Sequence, residues 1–248
     1  MKHSIKYFTL LISILFSSAL FAQQNKPGIT ITHLTGDFYV CTSYKFFNGA
    51  SFPSNNMYLV TEKGVVLFDT PWDSSDFQPL LDSINNKHHK KVILCIATHF
   101  HDDKSAGLSY YSSKGIKTYS STLTRELCKD DVEKKAAFVF KNDTTFKVGD
   151  YTFTTFYPGE GHTKDNIVIW FEKEKILYGG CFVKSTETND IGNIADANVK
   201  AWPQSVKNTI KKFTNAKYII PGHFAWADNK SLEHTLKLLE ENSNKINR

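Results

Sequence analysis

Four times along this chain a short apolar run meets a turn that carries a side chain able to bind a metal. Residues 92–97 lead into Thr98-His99-Phe100-His101-Asp102-Asp103. Gly159-Glu160-Gly161-His162-Thr163 stands just before the apolar run 167–171. Gly179-Gly180-Cys181 follows residues 176–178, and Pro221-Gly222-His223 follows residues 218–220. Ligand-type residues at strand ends are well placed to line a cleft, so the fold must bring these ends together. His99, His101 and Asp103 are spaced by two, and in an extended chain such residues project to one face. Four imidazoles, one carboxylate and one thiol are the nitrogen, oxygen and sulfur donors that zinc accepts. Six donors are enough for two metal sites rather than one.

The rest of the chain is organised around those strands. Strand-like runs at 56–61, 65–69, 92–97, 151–156, 167–171 and 218–220 are separated by turn signals such as Lys63-Gly64 and Gly149-Asp150. Phe77, Leu80, Leu81 and Ile84 recur at helical offsets, as do Trp202, Val206, Ile210 and Phe213. Pro79 fits only the first turn of its helix. Leu232, Leu236, Leu239 and Ile246 form one apolar stripe of a terminal helix. Strands alternating with helices define an α/β protein. No repeat, low-complexity tract or long linker divides the chain, so residues 23–248 are expected to form a single domain.

Residues 1–22 differ in kind. Lys2 and Lys6 precede an apolar run over residues 7–15, then small residues and Ala22 before Gln23, the order expected of a cleaved signal peptide. The mature protein is then expected in the periplasm, free of the membrane. Losing Lys2 and Lys6 lowers the net charge of +5 by two, too mild a surplus to imply nucleic-acid binding. Cys41 and Cys95 sit in apolar runs and read as small buried hydrophobes rather than disulfide partners. Ser-x-x-Lys, Gly-x-Ser-x-Gly and Gly-x4-Gly-Lys do not occur, which leaves a metal as the catalyst.

With its His-x-His-x-Asp, later Gly-His and final Pro-Gly-His in that order, the chain resembles the metallo-β-lactamase superfamily over nearly its whole mature length. Thioester hydrolases of that superfamily carry a histidine after the motif aspartate and a bridging aspartate further on, where this chain has Lys104 and Cys181. That difference points to the di-zinc β-lactamases whose second metal is held by Asp, Cys and His, and the presence of His99 argues against the mono-zinc subclass, which has asparagine there. The resemblance implies an αββα sandwich with the active site at one edge. It implies one zinc on His99, His101 and His162 and a second on Asp103, Cys181 and His223, with Asp103 orienting an activated water that opens the lactam amide of penicillins, cephalosporins and carbapenems. Lys184 would bind the substrate carboxylate, Asn193 would face the lactam carbonyl, and a mobile hairpin loop at 44–54 would offer Phe46 and Phe47 as apolar contacts. Asp69 would support the metal ligands from behind. By analogy with the family the protein is a monomer. Phe224 and Lys104 depart from common family residues and could tune substrate preference. The competing readings are a thioesterase-type hydrolase of the same superfamily and a non-catalytic zinc-binding protein.

Overall fold

Alternation along the strands decides how the layers stack. In β4 (Gly64–Phe68), Val66 and Phe68 point to one side and Val65 and Leu67 to the other, and all four are buried. A strand buried on both faces requires cover on both faces, which a second sheet and a layer of helices provide. The computed structural model describes residues 27–246, except Asn48, Asn142 and Ala227; the signal peptide expected at 1–22 lies outside the described residues, as do the side chains of Phe47 and of residues 244–246.

The first sheet has seven strands in chain order: β1 (Thr30–Thr35), β2 (Phe38–Phe47), β3 (Ala50–Thr61), β4, β5 (Val92–Ile96), β6 (Lys117–Ser121) and β7 (Phe138–Phe140). Its first half is an antiparallel meander, and from β4 onward the strands run parallel. Parallel neighbours need a crossover, supplied between β4 and β5 by α1 (Phe77–His88). Three short helices follow: α2 (Asp102–Ser105), α3 (Leu108–Ser113) and α4 (Thr122–Leu127). The second sheet has five strands, β8 (Thr145–Val148), β9 (Tyr151–Phe156), β10 (Val168–Phe171), β11 (Ile176–Gly180) and β12 (Tyr218–Pro221), in spatial order β12-β11-β10-β9-β8. The helix α5 (Trp202–Lys212) carries the parallel crossover from β11 to β12, and α6 (Ser231–Ile246) closes the chain.

Three apolar clusters fill the spaces between these layers. Between the sheets, Phe38, Met57, Phe68 and Ile96 meet Phe153, Ile169, Phe171 and Tyr178. Outside the first sheet, Leu67, Cys95 and Ala97 pack on Phe77, Leu80 and Ile84 of α1 and on Leu108 and Tyr111 of α3. Outside the second sheet, Val168, Trp170 and Leu177 pack on Trp202 and Val206 of α5 and Leu232 and Leu239 of α6. The order is helix, sheet, sheet, helix, the αββα sandwich that the resemblance implied. Cys41 and Cys95 are free and fully buried, as their apolar settings suggest. Among the described residues no helix is long and apolar enough to cross a membrane.

The stretch 44–54 is more regular than a loop. The β2–β3 ladder runs without interruption to the pair Phe47 and Ala50, with Gly49 before Ala50 at a φ of 80°. Cross-strand pairing over ten registers explains why residues that look like a loop in composition are drawn into strands.

Candidate metal centre

The strand ends that carry the sequence motifs lie at one edge of the sandwich. The chain does not stay extended after β5. His101 takes an extended backbone conformation as the residue preceding α2, and Asp103 falls in that helix's first turn. The bend still brings His99, His101 and Asp103 together, with ligand atoms within 4.8 Å of one another. The glycine-flanked turn before β10 adds His162. Ring centroids of His99, His101 and His162 stand 4.9 to 5.0 Å apart in all three pairs. Nδ1 of His101 and Nε2 of His162 are 3.2 Å apart.

Cys181 begins the turn after β11 and His223 the turn after β12. Neighbouring parallel strands therefore present both beside Asp103. The Cys181 thiol donates to Asp103 Oδ2 at 3.0 Å, and Nε2 of His223 lies 3.2 Å from both Cys181 Sγ and Asp103 Oδ2. This approach depends on Gly222, where any Cβ would fall 2.6 Å from both the backbone nitrogen and the sulfur of Cys181. A second contact set joins His99 and His162 to Cys181, so the two groups of donors share one floor.

The donor set fits a divalent metal on its chemistry as well as its spacing. Tetrahedral zinc ligands at about 2.0–2.3 Å from the ion stand roughly 3.3–3.8 Å from one another, close to the separations found here. His99 Nε2 is buried and has no hydrogen-bond partner, a costly state that a metal would relieve. Burial pushes His99 well below its ordinary pKa, and burial followed by the charge of Lys184 does the same for His162. Both are thus held as neutral imidazoles, the ligating form. On His223, burial likewise lowers the pKa, while Nδ1 meets the carbonyl of Pro53 at 2.7 Å and so leaves Nε2 as the free lone pair. On His101, Nε2 meets the carboxylate of Asp196 at 3.0 Å and leaves Nδ1 for a metal.

Two buried charges support the floor. Lys104 is fully buried; its ammonium donates to Ser54 Oγ at 2.9 Å and to the Asn55 carbonyl at 3.0 Å, and stands 3.4 Å from Asp103 Oδ2. Burial opposes its charge, but Cys181, Asp103 and Asp69 outweigh that and raise its pKa. Burial also pushes the Asp103 carboxyl up, yet the charge of Lys104 leads the influences that hold it well below the usual range. The Cys181 thiol is driven well up by burial and by Asp103. Asp69 sits at the end of β4 with a φ of 65° and accepts from Thr98 N at 2.6 Å, Thr98 Oγ1 at 2.9 Å and Tyr178 OH at 2.7 Å. Burial lifts its pKa to about 6. It thereby anchors the residue before His99 to both sheets.

Above the floor lies a cleft of about 760 Å³. Lys184 and Asn193 both line it; Lys184 is half-buried with its Nζ 5.3 Å from the Trp202 ring centre, and Asn193 is exposed and accepts from Ala195 N at 3.1 Å. Phe46 is 48% exposed on the hairpin and does not line the cleft, and the Phe47 side chain lies outside the described residues. The apolar wall is instead made by Phe52, Trp72 and Phe224. Sequence reasoning passed over Phe52, although strand alternation from Phe46 turns Phe52 and its partner Lys45 to the opposite face. For Asp196, in a loop without periodicity, no sequence signal marks the contact with His101.

The chain belongs to the metallo-beta-lactamase superfamily, whose family model matches residues 51–223. It is 45% identical to the metallo-beta-lactamase type 2 of Elizabethkingia meningoseptica over 88% of each chain, and 40% identical to metallo-beta-lactamase IND-1 of Chryseobacterium indologenes over 97% of this chain and all of that one. Among solved structures, the crystal structure of metallo-beta-lactamase IND-7 superposes with a TM-score of 0.83 at 40% identity, covering 86% of this chain and 98% of that one. The metallo-beta-lactamase from Pontibacter korlensis gives 0.82 at 35%, covering 86% and 99%. Membership in this family implies a divalent metal at the cluster of donors.

Proposed function

We propose that this protein is a zinc-dependent β-lactamase that hydrolyses the lactam amide of penicillins, cephalosporins and carbapenems, with two zinc ions per chain. The observation that carries the reading is the convergence of six donor side chains on the floor of a cleft whose rim carries a lysine. His99, His101 and His162 would hold one ion, and Asp103, Cys181 and His223 the other. When bound there, zinc supplies Lewis acidity, lowering the pKa of water to about 7 and polarising a carbonyl.

The chain's own groups do the rest. Asp103 is held ionised above all by the charge of Lys104, so its carboxylate can accept a hydrogen bond from the attacking water and orient it. Lys184 offers a point charge for the carboxylate common to these substrates. The Asn193 Oδ1 is engaged by Ala195, which leaves its NH2 to donate to the developing oxyanion. Residues 1–22 act as a signal peptide and the mature chain works as a monomer in the periplasm; a mass matching a start at Gln23 would support the former.

Purified mature protein should hydrolyse nitrocefin and imipenem, lose about 10³-fold or more of that activity on chelation, and recover it with added zinc. Turnover that survives metal removal would overturn the mechanism, and two bound zincs without turnover would overturn the substrate. Lys184→Ala should raise KM by roughly tenfold with a smaller fall in kcat. An unchanged KM would remove Lys184 from substrate binding.

A further inference from the structure

Phe224 follows the metal-ligand candidate His223 with a φ of 61°, in the left-handed region that side chains other than glycine and asparagine rarely adopt. Nothing in the backbone hydrogen bonding requires an aromatic side chain there. The conformation is imposed from three sides. Asn55 Nδ2 donates to the Phe224 carbonyl at 2.8 Å, Ser185 Oγ donates to the Ala225 carbonyl at 2.7 Å, and the Ala225 N–H donates to Glu187 at 3.0 Å. All three contacts would form equally well with glycine at 224. The ring is therefore kept at a conformational cost that the local fold does not explain, a state found where a side chain has work to do at a site.

What the ring touches says what that work is. Phe224 meets Phe52 edge to face, with centroids 4.9 Å apart and planes at 77°. Phe52 in turn meets Trp72 at 6.3 Å and 88°, and the three rings together line the cleft. Lys45, the cross-strand partner of Phe52, places its ammonium 5.1 Å from the Trp72 ring centre and backs the wall from the hairpin. Two of these three rings also contact the His223 imidazole, Phe52 at 5.2 Å and Trp72 at 6.3 Å. An apolar wall ending beside a metal ligand can hold only a group attached close to the reacting bond.

We infer that Phe224 is a specificity-determining residue, whose ring, held in a strained backbone, completes with Phe52 and Trp72 an apolar wall that takes the aryl substituent of a lactam substrate. The inference rests on the β-lactamase reading and goes further, to the substrate class that the cleft prefers. Burying one apolar group in such a pocket is worth roughly 10- to 200-fold in selectivity, and a wall open to solvent stands at the low end of that range.

The test uses the zinc-loaded full mature chain with two penicillins that share a nucleus, benzylpenicillin with its aryl side chain and 6-aminopenicillanic acid without one. Wild type, Phe224→Gly and Phe224→Ala are compared by kcat/KM on both and by thermal melting. Both variants should lose about tenfold on benzylpenicillin and change little on the bare nucleus. Phe224→Gly should also melt above Phe224→Ala, because only glycine adopts this φ freely. Equal losses on both substrates would mean that the ring merely positions His223, and would overturn the inference, as would no loss on either. A wild type that turns over neither penicillin would overturn the β-lactamase reading and this inference with it, an outcome plainly distinct from a wild type that turns over both with no preference lost in the variants.

Discussion

The two halves of the metal centre are built on opposite electrostatic plans. In the imidazole corner two of the donors are held neutral: burial keeps His99 and His162 uncharged, and His99 Nε2 has no hydrogen-bond partner. In the corner of Asp103, Cys181 and His223 the donors satisfy one another, with the thiol donating to the carboxylate and Lys104 buried beneath as counter-charge. The first corner therefore gains a partner for a stranded nitrogen when an ion arrives. The second must exchange an internal hydrogen bond and shed the thiol proton, because the thiolate is the ligating form. One site is ready for a cation and the other is balanced without one.

Cys181→Ser breaks this contrast most directly. The hydroxyl can still donate to Asp103 but is a poor ligand for zinc in place of a soft thiolate. Metal content measured after dialysis should fall from two equivalents to one. The affinity lost at that corner should exceed about 100-fold, since even the outer partners of a ligand are worth about 10- to 100-fold. Retention of both equivalents would remove Cys181 from the ligand set.

Lys104→Met sharpens the contrast by removing the counter-charge while leaving every candidate ligand in place. Stripping one partner from a buried ion pair costs about 3–5 kcal/mol, because the other is left uncompensated. Urea melts of the metal-free variant should show a loss near that size, whereas the zinc-loaded variant should lose much less, the cation standing in for the ammonium. Equal losses with and without zinc would mean that Lys104 acts through its contacts to Ser54 and Asn55 rather than through charge.

The difference between the corners was only partly legible in the sequence. The candidate donors stood out because His, Asp and Cys stand beside glycines and strand ends, where few other roles compete, and the fold brings them together. The long helices were readable because eleven or more residues repeat an apolar period, as over Trp202–Lys212. Helices α2 to α4, of four to six residues, are too short to show a period, and β1 alternates weakly because it is an exposed edge. The extended arrangement expected of His99, His101 and Asp103 gives way to the start of α2, whose first turn carries the aspartate. Lys104 looked like a minor departure from the family pattern, and only the fold shows it fully enclosed between the sheets' ends. The expectation that Phe46 supplies an apolar contact meets a hairpin that turns Phe52 to the cleft, while the Phe47 side chain lies outside the described residues. Composition describes a loop tip well but cannot say which face a paired strand presents.

The smallest effect concerns how the imidazole corner is aimed. Asp196 meets His101 Nε2 at 3.0 Å from a half-exposed position, so it fixes the tautomer and the ring angle while solvent weakens its charge. Removing it by Asp196→Ala should weaken zinc at the imidazole corner by about tenfold, the low end for an outer partner of a ligand. The corner of Cys181 should keep its affinity, because its own outer contact runs from His223 to the Pro53 carbonyl. Competition with a chelator of known affinity reads the two equivalents separately. Asp196→Asn is the decisive companion, since its amide oxygen can still accept from Nε2. Recovery of the lost affinity in that variant would assign the role to the hydrogen bond, and a loss equal to that of alanine would assign it to the negative charge. A loss shared by both corners would show that they are coupled through His99, and that the electrostatic contrast between them does not survive in the energetics of binding.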